Sequence, residues 1–370
     1  MNKTKFFAVI VLIVIAFGAG MAVDRYALAP PRAAAPEPIV FGTWGGAGGE
    51  ASVALAANFT RQTGIPVLFE YHAGASGTVI PKISSAWPTV KIDVIAVAPG
   101  VAYQLAQQGY LAELKPEEIP VMKEIPDSLF VKYNGTVIGA PMYVISVLTA
   151  VWRTDVIKEP IAKWSDLFKP EYNKKIATSY LPLGTGSSLV DTAYLFGGDE
   201  NNVEVGFQKL KELAPHIGGL WTTEAECVNF LASGQYPIEL FVAGSNMFTA
   251  HKQGIPLAWT AVLDTGTGVT PKFEIAADVM AVIKGPRAAE AKEFVNFFLN
   301  AQNNGYYNAI IGLQPSNKNA KMSPELVDWV PNPDEVAKYG RFVGFAERAK
   351  NIDAWTTRWD SEITPLIGTG

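Results

Sequence analysis

The fold is decided by residues 38–50, which read PIVFGTWGGAGGE. Residues 39–41 are β-branched or aromatic, as is typical of a short buried strand. Glycines then crowd residues 42–49, where they permit positive φ and let the backbone approach a ligand closely. Residues 50–63 have apolar side chains at helical spacing. The stretch therefore predicts a strand, a glycine loop that contains Trp44, and a helix.

A helix that begins at the carboxyl end of a strand is where open α/β sheets bind ligands. We therefore expect Trp44, Gly45 and Gly46 to face a ligand; the alternative is an ordinary tight strand–helix connection. The loop is not a phosphate-binding loop of the Walker type, since no Gly-Lys-Ser/Thr follows it. It also lacks a dinucleotide fingerprint followed by an acid for the ribose.

Composition narrows the class of protein. The chain has 370 residues, of which 49% are hydrophobic and 18% charged, enough for one large or two medium globular domains. A net charge of −5 argues against nucleic acid as a partner. Cys227 is the single cysteine, and His72, His216 and His251 have no metal-ligand spacing. We expect no metal, no cofactor and no internal disulfide.

The N-terminus predicts export. Lys3 and Lys5 precede an uncharged, mostly apolar run at residues 6–23. Residues 1–23 therefore fit either a cleaved signal peptide or a retained transmembrane anchor. No cysteine follows the run, which excludes a lipoprotein anchor at this junction. Residues 24–38 form a Pro/Ala linker that acts as a semi-rigid spacer. Both alternatives place the body in the periplasm or on the extracellular face of the membrane.

Strands alternate with helices along the rest of the chain, which predicts parallel, doubly wound sheets. Residues 143–153 form an apolar segment long enough to pass from one sheet into another. Residues 275–283 form an apolar strand interrupted by Asp278. Residues 184–188, Gly-Thr-Gly-Ser-Ser, are a second loop that feeds a helix start, here with hydroxyls. A last helical segment is expected from residue 334 to about residue 359.

Four stretches in this order carry a family resemblance. They are residues 39–66, residues 138–143 with the apolar segment that follows, residues 164–172 (WSDLFKPEY) and residues 288–317. The third is the most specific, because its spacing has no general structural reason to recur. The chain resembles the extracellular solute-binding proteins of ABC importers, and most closely their spermidine/putrescine-binding branch.

The resemblance implies a type II periplasmic-binding-protein fold, in which two α/β lobes enclose a ligand cleft. Each lobe would hold a doubly wound, mostly parallel sheet, and crossover strands would join the lobes. One lobe would comprise residues 38–144 and 278–322, and the other residues 145–277 and 323–370. Such lobes close about a hinge when ligand binds. The implied role is that of a monomeric, non-enzymatic protein that delivers a small solute to permease subunits.

The resemblance also assigns cleft residues. Trp44 matches an aromatic residue that packs on the apolar stem of the ligand; core packing is the alternative. Asp278 matches a carboxylate that pairs with a ligand ammonium, and the alternative is a strand-end cap that bonds backbone. The ligand-binding residues expected in this way are Trp44, Gly45, Gly46, Ala98, Pro99, Tyr143, Gly184, Thr185, Gly186, Ser187, Ser188, Gly244, Ser245 and Asp278.

The chain also departs from the polyamine-binding pattern. The two carboxylates that would hold a second amine fall at Leu181 and Gly184. Two aromatic residues that would sandwich the ligand fall at Val242 and Ala276, and a cleft serine falls at Ala98. Most of the polyamine clamp is therefore absent.

These departures leave the charge of the solute open. Hydroxyls and backbone N–H groups at Ser187 and Ser188 suit a carboxylate or phosphonate, although plain helix capping is the alternative. A zwitterion held between Asp278 and these serines fits both observations. The Tyr306–Tyr307 pair resembles that of ferric-ion binders, but we expect it in a helix away from the cleft. A sensor or enzyme on this fold is the alternative of another class, although no nucleophile–base constellation is present.

Overall fold

A computed structural model describes residues 36–72, 78–182, 186–342 and 344–370, apart from the side chains of residues 345, 346 and 349. Residues 38–370 form one compact unit. The expected signal peptide or anchor at residues 1–23 lies outside the described residues, as do Gly184 and Thr185. In the described ranges, no helix is both long enough and apolar enough to cross a membrane.

The described residues contain fourteen strands and eleven α-helices. The strands are β1 (Ile39–Thr43), β2 (Val67–Tyr71), β3 (Val94–Val97), β4 (Val131–Tyr133), β5 (Thr136–Pro141), β6 (Tyr143–Arg153), β7 (Ile176–Ser179), β8 (Ile217–Trp221), β9 (Ile238–Ala243), β10 (Leu257–Thr260), β11 (Phe273–Ala276), β12 (Val279–Val282), β13 (Gln314–Pro315) and β14 (Gly340–Arg341). The helices are α1 (Gly46–Thr63), α2 (Val79–Ala86), α3 (Pro99–Gln107), α4 (Ser187–Leu195), α5 (Glu204–Leu213), α6 (Glu224–Ser233), α7 (Gly244–Lys252), α8 (Ala288–Leu299), α9 (Ala301–Ile311), α10 (Pro333–Tyr339) and α11 (Phe345–Glu362). Short 3₁₀ helices lie at Pro120–Glu124, Asp127–Leu129, Trp164–Phe168, Pro170–Tyr172, Ala214–His216 and Thr364–Leu366.

The first sheet has six strands in the order β2-β1-β3-β12-β5-β4. Strand β1 pairs in parallel with β2 and β3, whereas β12 runs antiparallel to both β3 and β5. Helices α1 and α8 cover this sheet with buried aromatic rings. The Phe294 ring lies edge-on to Phe41 at 5.4 Å and to Phe59 at 5.2 Å between centroids. Such packing contributes strongly to a core.

The second sheet follows the order β14-β11-β6-β9-β7-β8, and β10 and β13 also pair with β6. Strand β7 is parallel to β8 and β9, whereas β6 is antiparallel to β9, β10, β11 and β13. Trp359 of α11 is fully buried in the core beneath this sheet. The C-terminal helix is therefore an integral part of the second sheet's layer.

The two-lobed α/β fold expected from the sequence is confirmed, with one qualification about the sheets. Parallel pairing extends over β2-β1-β3 in the first sheet and over β9-β7-β8 in the second. The remaining neighbours are antiparallel, apart from β11 and β14. The physical reason is that strands such as β6 and β12 enter a sheet by crossing from the other one, against the direction of the local βα units.

Two predicted segments are each divided in the structure. Residues 275–283 are not one strand: β11 lies in the second sheet and β12 in the first, with Asp278 between them. Both halves are buried, so their apolar run gives no sign of the change of sheet. The last helical segment is interrupted by β14. A Cβ at Gly340 would lie 2.5 Å from the Val336 carbonyl oxygen, so only glycine fits this break.

Candidate functional site

Three chain connections between the sheets meet at one place: the one from β5 to β6, the one from β11 to β12, and the one from α9 to β13. The chain leaves the first sheet after β5 and enters the second at Tyr143, the first residue of β6, which pairs with Pro315 of β13. The connection between β11 and β12 runs beside β6 and carries Asp278. The backbone N–H of Met142 donates to the backbone oxygen of Asp278 at 2.9 Å. Asp278 therefore lies where the chain passes from one sheet into the other.

Asp278 is held by a phenol. The Tyr143 hydroxyl donates a hydrogen bond to Oδ2 of Asp278. Burial raises the pKa of the Asp278 carboxyl, and the bond from Tyr143 acts in the opposite direction. Burial and the neighbouring carboxylate raise the pKa of Tyr143, so this phenol stays protonated. Tyr143 and Asp278, both expected in the ligand site, are thus in direct contact.

A second phenol lies beside this pair. Burial and the charge of Asp278 raise the pKa of Tyr307, and the nearby Ser52 hydroxyl acts in the opposite direction. The Tyr307 hydroxyl is also 3.0 Å from where a Cβ at Gly48 would lie. Tyr307 therefore connects the first turns of α1 with the surroundings of Asp278.

The expectation that Tyr306 and Tyr307 lie away from the site is wrong for Tyr307. The side chain of Tyr306 is 45% exposed and that of Tyr307 is 5% exposed. Successive residues of a helix point about 100° apart, so the two phenols do not converge as an iron-binding pair would require. The adjacency of the two tyrosines in sequence gave no sign of which one faces inward.

The glycine stretch forms the first turn of α1 rather than a separate loop. The helix begins at Gly46, and a Cβ at Gly49 would lie 2.8 Å from the Trp44 carbonyl oxygen. A Cβ at Gly45 or Gly46 would meet no atom within 4 Å, so both border open space. This arrangement combines a close backbone approach with an unobstructed helix start.

Trp44 is half-buried beside this helix start. Its ring meets the His72 ring edge-on, with centroids 5.2 Å apart. Burial lowers the pKa of His72, and the His72 Nε2 lies 3.0 Å from the Ala96 carbonyl oxygen. Trp44 is also packed against the core of the first sheet. Core packing and contact with a ligand are therefore compatible for this side chain.

Eight of the eleven described α-helices begin without a side-chain cap. They include four that begin at or beside expected ligand-binding residues, α1, α3, α4 and α7, whose N-cap residues are Gly45, Ala98, Gly186 and Ala243. Side chains of Thr223, Asn300 and Asn332 cap helices α6, α9 and α10. A helix start presents backbone N–H groups that water or a polar ligand can contact. Pro99, Gly244 and Ser245 lie in these first turns.

The serines of the second loop face the protein interior. Ser188 is fully buried and Ser187 is 7% exposed. The Ser187 Oγ lies 3.2 Å from Nη1 of Arg348, which donates to it, while Nη2 of Arg348 donates to Glu274 at 2.7 Å. The Ser187 hydroxyl thus has a partner within the protein, and contact between these serines and a ligand stays a prediction.

A buried charge network in the second sheet was not anticipated from the sequence. Arg341 bonds Asp191, and its guanidinium lies 3.6 Å above the Tyr194 ring. Burial raises the pKa of Asp191, and the Arg341 charge opposes the shift. The Arg348–Glu274 pair lies next to it. No local signal marks these partners, because they are far apart in sequence; the network joins β14 and α11 to α4.

Other features of the described residues lie apart from Asp278. None of the described His, Cys, Asp and Glu side chains form a group of three or more that could hold a metal ion. A surface cavity of about 490 Å³ lies against another face of α9, lined in part by Gln302, Tyr306 and Lys321. Its lining shares no residue with the expected ligand site, so we do not take it as that site.

Named proteins resemble this chain in sequence or in fold. A curated protein of Haemophilus influenzae, the spermidine/putrescine-binding periplasmic protein 1, is 25% identical over 279 residues, which cover 72% of each chain. An extracellular solute-binding protein from Bordetella parapertussis has a similar structure, with a TM-score of 0.75 at 22% identity. That comparison covers 88% of this chain and 98% of the other.

A third relative is the spermidine/putrescine ABC transporter substrate-binding protein PotD from Streptococcus pneumoniae. Its structure aligns with a TM-score of 0.65 at 18% identity, covering 87% of this chain and 99% of the other. These structural likenesses show the fold. The family model of bacterial extracellular solute-binding proteins matches residues 54–333. The chain therefore belongs to the family of bacterial extracellular solute-binding proteins, which are binding proteins of ABC transporters and not enzymes.

Proposed function

We propose that the protein binds a small polar solute with a cationic group, which Asp278 pairs with, and delivers it to an ABC permease. One observation carries this proposal: the half-buried Asp278 carboxyl accepts a hydrogen bond from Tyr143, and no cationic side chain among the described residues pairs with it. In the described part of the chain, two effects shift the pKa of Asp278: burial raises it, and the hydrogen bond from Tyr143 lowers it. A carboxylate removed from water gains much from a positive partner.

A zwitterion fits the remaining features better than a polyamine. Positions that would hold a second amine are occupied by Leu181, which is buried, and by Gly184. The uncapped starts of α1, α3, α4 and α7 offer N–H donors, which favour a carboxylate or phosphonate. The relative from Haemophilus influenzae is named for spermidine and putrescine, so amines remain the first compounds to test.

A purely anionic solute is the second candidate. The starts of α1, α3, α4 and α7 favour an anionic solute, because each presents backbone N–H groups and the positive end of a helix dipole. Asp278 counts against it, since a carboxylate repels an anion unless it is protonated. The position of Asp278 between the two sheets makes the cationic or zwitterionic solute the better supported proposal.

Cell location and lobe boundaries complete the proposal. The family is extracellular or periplasmic, and we propose that residues 1–23 serve as its signal peptide or anchor. We further propose that the hinge at Tyr143 and Asp278 separates residues 38–144 and 278–322 from residues 145–277 and 323–370. The two sheets that meet at this hinge support the division.

A thermal-shift screen tests the binding function. The panel contains putrescine, spermidine, the amino acids and methylphosphonate, each with a neutral or acetylated analogue as a size-matched control that lacks the charge under test. A ligand at 100 times its Kd stabilises the native state by about 2.7 kcal/mol. We expect a cationic or zwitterionic compound to raise the melting temperature and its uncharged analogue to leave it unchanged. An unmoved melting temperature across the panel would count against the proposal.

A further inference from the structure

We propose that Tyr143 is a positioning residue: it holds the Asp278 carboxylate where the connections between the lobes meet, and so couples cation capture to the hinge. This inference rests on the proposed function. Tyr143 begins β6, and Asp278 lies between β11 and β12. Their side-chain bond therefore joins two of the three connections that must bend when the lobes move.

Buried amide hydrogen bonds fix the backbone beside Tyr143, whereas the Tyr143–Asp278 bond involves a charge that a solute can pair with. The amides of Asn304 and Asn308, both fully buried, donate to the Met142 carbonyl oxygen at 2.7 and 3.0 Å. These bonds tie helix α9 to the backbone next to Tyr143. These amide bonds are neutral and enclosed, so a solute cannot reach or alter them, whereas a cationic solute can pair with the charge of Asp278.

The chemistry of a carboxylate gives Tyr143 a specific role. A carboxylate accepts hydrogen bonds on two oxygens, and the Tyr143 hydroxyl occupies Oδ2. This bond favours the ionised form and fixes the plane of the group, which leaves Oδ1 for an ammonium. A bound cation and the Tyr143 hydroxyl thus share one carboxylate, and binding is transmitted to β6.

Two phenols face Asp278 from the elements packed around it. Tyr143 comes from β6, and Tyr307 comes from α9 with its hydroxyl toward Gly48 and Ser52 of α1. Both phenols have pKa values raised by burial, so neither ionises near neutral pH. Among these described neighbours, Asp278 is therefore the group whose protonation changes with pH.

A double-mutant cycle with putrescine as the probe tests the inference. Tyr143→Phe keeps the ring and removes the hydroxyl, and we expect about tenfold weaker binding by calorimetry at pH 7.5. In the Asp278→Asn background, the same change should alter affinity less than about twofold, because the charge through which Tyr143 acts is gone. Equal effects in both backgrounds, or no effect in either, would overturn the inference.

A matched control is Tyr194→Phe, which removes another phenol that donates to a carboxylate, that of Glu200 in the second sheet's layer. We expect its putrescine affinity to equal that of the wild type. If putrescine does not bind the wild type, a polyamine is excluded as the solute while the inference stays testable. Carboxyl ¹³C NMR should then show a higher Asp278 pKa in Tyr143→Phe than in the wild type, and an unchanged pKa would overturn the inference.

Discussion

Two carboxyls in this protein, the half-buried Asp278 between the two sheets and the fully buried Glu239 in the second sheet, have opposite surroundings. Asp278 accepts a hydrogen bond from Tyr143 and lies between strands of different sheets. Glu239 is fully buried in β9, and its neighbour is the thiol of Cys227, a weak donor. Burial raises the pKa of both carboxyls, that of Glu239 well above its ordinary value.

The difference shows that a raised pKa alone does not identify a binding site. Glu239 is surrounded by apolar residues of its own lobe, and a solute has no route to it without unfolding. Its buried carboxyl is most stable protonated. Asp278 has a donor that stabilises its ionised form, and it is partly exposed between strands of different sheets. The hydrogen bond from Tyr143 and the position between the two sheets, rather than burial, make Asp278 the candidate ligand group.

The largest expected effect is a loss of ligand affinity when the charge of Asp278 is removed, but not when the Glu239 carboxyl is replaced. Asp278→Asn keeps the shape of the side chain and removes its charge, and a hydrogen bond to a charged group is worth about 1.5–3 kcal/mol. We expect affinity for the cationic solute to fall about 10- to 150-fold, with a melting temperature equal to or above that of the wild type. Glu239→Gln is the control and should bind as the wild type does. Weaker binding in both variants would show that the comparison is wrong.

A smaller effect is the pH dependence of affinity. Binding of a cation requires ionised Asp278, and burial raises the pKa of this group in the empty protein. Affinity should therefore rise with pH by up to about tenfold per unit below that pKa, and become constant above it. Calorimetry in buffers of different ionisation enthalpy should detect proton release. Constant affinity from pH 8 down to about pH 4, without proton release, would contradict a pKa raised above the ordinary Asp value of about 3.9.

The second carboxyl, Glu239, is expected to affect stability rather than binding. A carboxyl whose pKa is raised in the folded state favours folding most below its unfolded pKa of about 4.3, and this advantage is lost as pH rises toward the folded pKa. We expect wild-type stability to decline within this window by up to about 1.4 kcal/mol per pH unit relative to Glu239→Gln. Urea unfolding of both proteins between pH 5 and pH 9 measures the difference. Parallel curves would show that Glu239 is solvated or paired.

Gly49, in the first turn of α1, has no room for a side chain. A Cβ at Gly49 would lie 2.8 Å from the Trp44 carbonyl oxygen, which is backbone and cannot move aside easily. Gly49→Ala should therefore cost about 1–3 kcal/mol of stability. Gly285→Ala is the control, since no atom lies within 4 Å of its Cβ position. Denaturant unfolding of the two variants compares them directly, and equal stabilities would mean that α1 can shift.

The order of elements could be read from the sequence, because each depends on residues close together in the chain. Alternation of β-branched runs with helical spacing predicts the α/β layers, and the long apolar β6 predicts a crossover. Asp278 stands out as a lone acid in an apolar run. The division of that run between two sheets could not be read, since strands buried on both faces look alike in either sheet.

The partners of the site side chains were decided by the tertiary structure alone. Tyr143 and Asp278 are 135 positions apart, and Arg341 and Asp191 are 150 apart. Local periodicity reports which face of an element is apolar, but not which distant side chain that face meets. The inward position of Tyr307 depends in the same way on how α9 packs against α1. The sequence by itself determined the layers and the candidate acid; only the folded chain, by bringing distant strands together, decided what surrounds that acid.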